Sequence, residues 1–100
     1  MSLLLVGHSH IPIALQLSPA SESCGESWSA ITLGEGRWLL NPGSVGQPRD
    51  NDPAAAYALF DTESERITFR RIPYDHLAAA RKIEQAGLPA SIAYRVAKGI

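Results

Sequence analysis

The chain has 100 residues, of which 45% are hydrophobic and 19% are charged, and its formal net charge at pH 7 is −1. This composition fits one folded domain with a modest hydrophobic core, and it excludes an intrinsically disordered chain. The nearly neutral charge argues against a surface that binds nucleic-acid polymers or membranes by bulk electrostatic attraction, although a local site for a nucleotide stays open.

The cysteine content and the distribution of apolar residues predict a cytoplasmic protein. Cys24 is the single cysteine, so an internal disulfide is excluded and a reducing compartment is expected. No apolar run approaches the roughly 20 residues that a membrane span needs. The first residues carry no basic flank, and His8 and His10 interrupt the apolar run there, which is not the pattern of a signal peptide.

The apolar run at residues 3–6, Leu-Leu-Leu-Val, predicts a buried strand, and Gly7-His8-Ser9-His10 follows it directly. Gly7 permits a sharp turn where the strand ends. In an extended segment, side chains two residues apart point the same way, so His8 and His10 can face one cleft. Two imidazoles together predict ligands for a divalent transition metal, although a His-x-His pair is also typical of an ordinary surface turn.

The middle of the chain contains signals for strands, a loop and a hairpin. Residues 11–17 are apolar and predict an extended segment, whereas residues 18–27 are polar and rich in turn formers, which predicts a loop. Apolar segments at residues 28–33 and 37–40 flank Gly34-Glu35-Gly36, a three-residue signal for a hairpin. These two segments are therefore expected to pair with each other.

A second hairpin is expected further along the chain, formed by residues 56–60 and 66–72. Apolar and polar residues alternate in the second of these strands, which is typical of a strand with one solvated face. The charged residues expected on that face are Arg66, Arg70 and Arg71.

Two helices are expected at the end of the chain. Asp75 is a good N-cap for a helix that runs to Ala86 and stops at Gly87. Pro89 suits the first turn of a last helix, which ends by Gly99. The sequence therefore predicts an α+β fold, in which an antiparallel sheet is followed by two C-terminal helices.

Two motifs carry a family resemblance. They are residues 7–12, Gly-His-Ser-His-Ile-Pro, and residues 41–50, Asn-Pro-Gly-Ser-Val-Gly-Gln-Pro-Arg-Asp. Together they resemble the end of calcineurin-like metallophosphoesterases, in the small prokaryotic branch related to diadenosine tetraphosphatases. That family opens with Asp-x-His, Gly-Asp, Gly-Asn-His and a further lone His, which this sequence lacks. The likeness covers nearly the whole chain except for about residues 17–27. Residues 1–100 are therefore expected to be the carboxy-terminal part of the domain, without its N-terminal metal-binding half.

The resemblance implies a fold and a reaction. The predicted sheet and helices would be the second half of an αββα sandwich. His8 would bind one divalent metal ion of a dinuclear site and His10 the other, and Mn, Fe or Zn would suit these ligands. The implied activity is hydrolysis of phosphate mono- or diesters, with a nucleotide among the possible substrates. Because the chain supplies only part of the ligand set, it is not expected to be active alone, and no catalytic residue is assigned.

The second motif supplies the other candidate site residues. Arg49 is a candidate contact for a substrate phosphate, because a guanidinium can donate two hydrogen bonds to it. The alternative is a surface ion pair with Asp50 or Asp52, neither of which is expected to bind metal. Turn-forming residues are expected to shape the loops near the site. They are Gly7, Asn41, Gly43 and Gly46.

A non-enzymatic interpretation also stays open at this point. The chain could be a degenerate domain or an interaction module that needs a partner chain. A half-sandwich would leave apolar sheet surface exposed, so we expect self-association or binding of the missing N-terminal half. A phosphate ester is the expected small-molecule partner, and neither a nucleic-acid polymer nor a membrane is expected.

Overall fold

Strands fill most of the chain and two helices close it. The structure is a computed structural model, and it describes residues 2–18, 20–23 and 30–100. The strands of the described residues are β1 (Ser2–Leu5), β2 (Ile13–Ser18), β3 (Ala20–Ser23), β4 (Ala30–Thr32), β5 (Arg37–Asn41), β6 (Ala55–Asp61) and β7 (Arg66–Ile72). The helices are α1 (His76–Gln85) and α2 (Ala90–Lys98).

The described strands form two sheets. The first sheet has four strands in the order β1-β5-β2-β3, and the second has three in the order β4-β7-β6. All neighbouring pairs are antiparallel except β1 and β5, which run parallel. The predicted α+β class, with antiparallel pairing and two C-terminal helices, is confirmed. The division into two sheets and the parallel pair were not predicted. The burial predicted for the strand at residues 3–6 is wrong, because β1 lies at the edge of its sheet and its Leu4 and Leu5 are 57% and 61% exposed.

The loop predicted over residues 18–27 is wrong in its first part. The segment Ala20–Ser23 is a strand, β3, that pairs antiparallel with β2. It lies at the edge of its sheet, where backbone hydrogen bonds to one neighbour suffice and apolar side chains are not required. A polar sequence therefore concealed it. The remainder of the predicted loop, from Cys24 onwards, lies outside the described residues, as does the start of the strand predicted over residues 28–33.

The hairpin predicted around Gly34-Glu35-Gly36 is also wrong. Instead of pairing with each other, β4 pairs with β7 and β5 pairs with β1 and β2. The glycine segment therefore carries the chain from one sheet to the other. Leu33, just before it, is 1% exposed and its N–H donates to the Glu65 carbonyl at 2.8 Å. Because burial of the Leu33 side chain is favourable, the chain enters the core at this residue and does not form a tight turn.

The core lies between the two sheets. Its buried side chains are Ala14, Leu33, Trp38, Leu40, Ile67 and Phe69. The first sheet contributes residues of β2 and β5, and the second contributes residues of β7, so each sheet covers the inner face of the other. Leu3, Ile31 and Ala58 pack against this cluster and are partly buried.

Arg71 does not lie on a solvated face, so that prediction is wrong for this residue. Residues two apart on a strand share a face, and Arg71 follows the buried Ile67 and Phe69 in that series. Arg71 is 8% exposed, whereas Arg66 and Arg70 are exposed as predicted. The inner face of β7 therefore ends in a buried charge.

The Arg71 guanidinium binds several polar groups of the segment that precedes β6. It forms an ion pair with Asp50 and lies 3.9 Å from an Asp52 carboxylate oxygen. Its Nη1 also donates to the carbonyl of Ala54 at 2.9 Å and to that of Asp52 at 3.3 Å. Burial lowers the pKa of Arg71 from its ordinary value. These partners compensate the buried charge and fix the end of the second motif against β7.

The two helices begin and end where their sequence signals predict. The Asp75 carboxylate accepts from the Ala78 N–H at 3.0 Å and caps α1, and Gly87 follows that helix with a φ of +77°. Gly99 ends α2 in the left-handed conformation, and its carbonyl accepts from the Asn51 N–H at 2.8 Å. The helices pack against each other, and neither described helix is long and apolar enough to cross a membrane.

Candidate metal centre

Two loops meet at the carboxyl ends of β1 and β5. The strands pair in parallel with Leu5 opposite Leu40, and the Val6 N–H donates to the Leu40 carbonyl at 2.9 Å. Because the carboxyl ends of parallel strands lie at the same edge of a sheet, the segments that follow them are neighbours. We call residues 7–10 the histidine loop and residues 41–49 the Asn41 loop.

The Asn41 side chain joins the two loops. Its Nδ2 donates to the Gly7 carbonyl at 3.0 Å and to the Ser9 hydroxyl oxygen at 2.8 Å. Its Oδ1 accepts from the Gly43 N–H at 2.9 Å. Asn41 is 2% exposed, and these bonds satisfy the amide inside the protein. The turn role expected for Asn41 is thus only part of what it does, because the same amide holds the histidine loop.

His8 lies on the exposed side of the histidine loop. Its φ is +76°, in the left-handed region that residues other than glycine rarely adopt. The N–H of Ser9 donates to the Gly7 carbonyl at 3.0 Å, so the backbone reverses around His8 within three residues. His10 also has a positive φ, of +60°, so the extended segment predicted for the two histidines is wrong. The imidazole of His8 is exposed and hence accessible to a ligand.

His10 is held more firmly than His8 and is half-buried. Its Nδ1 lies 2.8 Å from the Gln47 carbonyl oxygen. A carbonyl can only accept, so Nδ1 donates this bond, and in the neutral imidazole Nε2 is then the nitrogen with a lone pair for a metal ion. The His10 carbonyl accepts from the Arg49 N–H at 3.3 Å. The Asn41 loop therefore contacts both the ring and the main chain of this histidine.

Arg49 does not form the ion pair that was its alternative interpretation. Its Nη2 donates to the Gln47 side-chain oxygen at 3.0 Å, and its Nε is buried without a hydrogen-bond partner. Both ion pairs found among residues 2–18, 20–23 and 30–100 involve Arg71 instead, which takes Asp50 and Asp52. The Arg49 charge is therefore not neutralised by either neighbouring carboxylate.

The predicted glycines differ in what surrounds them. A side chain at Gly43, which has a φ of +91°, would lie 2.8 Å from the Ala56 Cβ and 2.9 Å from the Pro12 Cγ. Gly43 therefore allows the Asn41 loop to pack against both the exit of the histidine loop and β6. Gly7 and Gly46 lie in the two loops as well, but a Cβ at either would meet nothing within 4 Å.

An apolar cavity of about 280 Å³ adjoins the two loops. Gly7 and Pro42 form its border with the candidate site, and the other lining side chains come from both sheets. They are Leu5, Val6, Leu40, Ala58, Phe60 and Ile67. The cavity beside the histidine loop is therefore lined by apolar and not by charged side chains.

The donor set fits divalent metal ions only in part. An imidazole whose Nδ1–H is bonded to a carbonyl is a typical metal ligand through Nε2, and His10 has this arrangement. In the part of the chain that the structure describes, however, no group of three or more His, Cys, Asp or Glu side chains could hold a metal ion. The two histidines can thus supply part of a ligand shell and cannot complete one.

Three contributors to this site were missed from the sequence. The Gln47 main-chain carbonyl holds His10, and a backbone group leaves no signal in the residue type. The Ser9 hydroxyl takes one of the Asn41 bonds, and a serine between two histidines could have indicated this. Arg71 forms the ion pairs with Asp50 and Asp52. Its position two residues after the apolar Phe69 could have indicated that it lies on the buried face of β7.

Comparisons with known proteins place this arrangement in context. No protein-family model matches the chain. An uncharacterized protein of Methanocaldococcus jannaschii is 38% identical over 98 residues, which are 97% of this chain and 39% of that protein. The crystal structure of a metallophosphoesterase from Sphaerobacter thermophilus superimposes with a TM-score of 0.91 at 36% identity, over 100% of this chain and 43% of that one. The chain thus spans about two fifths of the length of both, and its fold is that of part of a metallophosphoesterase.

Proposed function

We propose that this chain is the carboxy-terminal part of a metal-dependent phosphoesterase of the calcineurin-like superfamily. The likeness over the whole chain to part of a metallophosphoesterase supports the superfamily. The motifs at residues 7–12 and 41–50 support the finer assignment to the small prokaryotic branch related to diadenosine tetraphosphatases. The cytoplasm stays the predicted compartment.

His8 and His10 are the proposed metal ligands, each for one ion of a pair. The observation that carries this proposal is the hydrogen bond between His10 Nδ1 and the Gln47 carbonyl, at 2.8 Å, which leaves Nε2 free. His8 is exposed two residues earlier on the same short loop. Mn, Fe and Zn all suit imidazole ligands, and the remaining ligands would come from the other half of the sandwich.

The proposed reaction is hydrolysis of a phosphate mono- or diester, with a nucleotide among the candidate substrates. Bound divalent ions supply Lewis acidity toward a phosphoryl oxygen and make water easier to deprotonate. Among this chain's own residues, Arg49 is the proposed contact for a substrate phosphate. Its charge is not paired with Asp50 or Asp52, and its buried Nε has no hydrogen-bond partner, which supports a role for it in binding an anion.

The proposed ligands can be tested by NMR on the isotopically labelled chain, with Co²⁺ as a paramagnetic probe. We expect Co²⁺ to broaden the imidazole signals of His8 and His10 and to leave those of His76 sharp. His76 begins α1, outside both loops, and serves as an internal control. His8→Ala and His10→Ala should each weaken the affinity for Co²⁺, whereas His76→Ala should not.

Equal broadening of all three histidines would refute the proposal, because exposed imidazoles would then bind the ion independently. That result would favour the non-enzymatic interpretation, in which the chain is an interaction module or a degenerate domain. The apolar surface of the first sheet would then be the main functional feature.

A further inference from the structure

His8 occupies a strained turn. Its φ of +76° and the bond from the Ser9 N–H to the Gly7 carbonyl, at 3.0 Å, define a γ-turn of the rare form with positive φ at the centre. Histidine has no glycine-like freedom in this region. A conformation of this kind persists only where the surrounding structure holds it in place.

The side-chain amide of Asn41, which lies outside the turn, forms the hydrogen bonds that hold the turn in place. Its two N–H groups bond the residues on either side of His8, the Gly7 carbonyl at 3.0 Å and the Ser9 hydroxyl at 2.8 Å. Its oxygen is anchored by the Gly43 N–H at 2.9 Å, within its own loop. Asn41 is the last residue of β5 and is buried, so its side chain links the turn to the end of that strand.

We propose that Asn41 is a positioning residue for His8. By bonding both neighbours of His8, it holds the γ-turn and with it the direction in which the His8 imidazole leaves the backbone. This inference rests on the proposed function for the identity of the ligand that His8 meets, but the hold on the turn is a property of this chain alone. His10 has further contacts of its own, because its ring Nδ1 donates to the Gln47 carbonyl and its carbonyl accepts from the Arg49 N–H.

The separate contacts of His10 allow positioning of His8 to be distinguished from general stability. A residue that merely stabilised the fold would, when replaced, loosen both histidines alike. A residue that positions His8 should loosen the backbone around His8 and leave the ring of His10 bonded to Gln47. His10 therefore serves as an internal reference for His8 within the same molecule.

Asn41→Asp is the sharpest test variant. It keeps the size of the side chain and the acceptor for the Gly43 N–H, but it removes both donors and sets a carboxylate oxygen against the Gly7 carbonyl. Asn51→Asp is the matched control, because Asn51 also has a positive φ, of +67°, is exposed, and bonds Gly99 through its main chain. Ser9→Ala is the milder second variant, since it removes the hydroxyl that accepts one Asn41 hydrogen bond and keeps the bond from Asn41 to the Gly7 carbonyl.

Two measurements are compared across these variants and the unmodified chain. The first is the backbone order parameter of His8 and Ser9 from NMR relaxation, which we expect to fall from about 0.85 to below about 0.6 in Asn41→Asp. The second is the affinity for Co²⁺ at His8, which we expect to fall roughly 10–100-fold, as for other residues that orient a metal ligand. Ser9→Ala should show a smaller loss in both, and Asn51→Asp none.

Two results would overturn the inference. One is an unchanged order parameter at His8 in Asn41→Asp, with the fold intact. The other is an equal loosening of His8 and His10, which would make Asn41 a stabilising residue only. If the unmodified chain does not bind Co²⁺ at His8, the proposed function fails, and the order parameters alone decide whether Asn41 holds the turn.

Discussion

Gly43→Ala is expected to destabilise the protein by about 2–4 kcal/mol, because two costs add at this position. The φ of +91° disfavours any L side chain, which costs about 1 kcal/mol or more. The new Cβ would also lie 2.8 Å from the Ala56 Cβ and 2.9 Å from the Pro12 Cγ. Carbon atoms in contact prefer about 3.5–4.0 Å, and overpacking of this kind costs about 1–3 kcal/mol. The free energy of unfolding from urea titrations followed by circular dichroism measures the sum.

Gly87→Ala is the matched control for the backbone cost alone. Gly87 has a φ of +77°, and a Cβ there would meet nothing within 4 Å. It should therefore lose only about 1 kcal/mol. If Gly43→Ala and Gly87→Ala proved equally stable to within about 0.5 kcal/mol, the tight packing of the Asn41 loop against Pro12 and Ala56 would be disproved.

Three further predictions concern charge and activity. Arg71→Leu should lower the free energy of unfolding by about 3 kcal/mol, because Asp50 would lose its partner in a partly buried site, whereas Arg70→Leu on the exposed face should change it by less than about 0.5 kcal/mol. The N–H groups of Glu63 and Ser64 lower the pKa of Asp61, so its stabilising contribution is present above the pKa of the unfolded chain and is lost as the pH falls through the lower folded value. The melting temperatures of the unmodified chain and Asp61→Asn should therefore converge in acid, and a constant gap would contradict this. The purified chain should not hydrolyse p-nitrophenyl phosphate or its bis ester with Mn²⁺, and turnover abolished by His8→Ala or His10→Ala would show that the chain is self-sufficient.

The helices and the second hairpin could be predicted because their signals are local. The cap at Asp75 and the stop at Gly99 act within a few residues of themselves. The sheets could not be predicted in the same way. The partner of Ala30 in β4 is Thr68, which a hydrophobic pattern cannot identify at such a sequence distance. The edge strand β3 was missed although its partner β2 directly precedes it, because its polar sequence lacks the apolar alternation by which strands are recognised.

The sequence selected the candidate residues of the site, but it did not identify the hydrogen bonds that hold them or the groups that form these bonds. Family motifs selected His8, His10 and Arg49, and the parallel pairing of β1 and β5 is what brings their loops together. The contacts that hold these loops are largely to main-chain groups, such as the carbonyls of Gly7 and Gln47. Every residue carries such groups, so their use depends on the fold alone. Whether the histidines bind metal stays a prediction.

The outer face of the first sheet supports the last prediction, that the isolated chain self-associates. Leu4, Leu39 and Leu15 are opposite one another in three adjacent strands, on the face away from the core. Leu4 on β1 is 57% exposed and Leu17 on β2 is 53% exposed, and β1 is an edge strand among the described strands of this sheet. Burial of each half-exposed leucine would contribute about 1 kcal/mol, and each counts twice in a symmetric dimer. Replacing both Leu4 and Leu17 with Lys should therefore weaken a dimer by about 4 kcal/mol, or about a thousandfold, as measured by sedimentation velocity. A compact monomer at high concentration of the unmodified chain would contradict this, since the apolar face would then be stable in water without a cover.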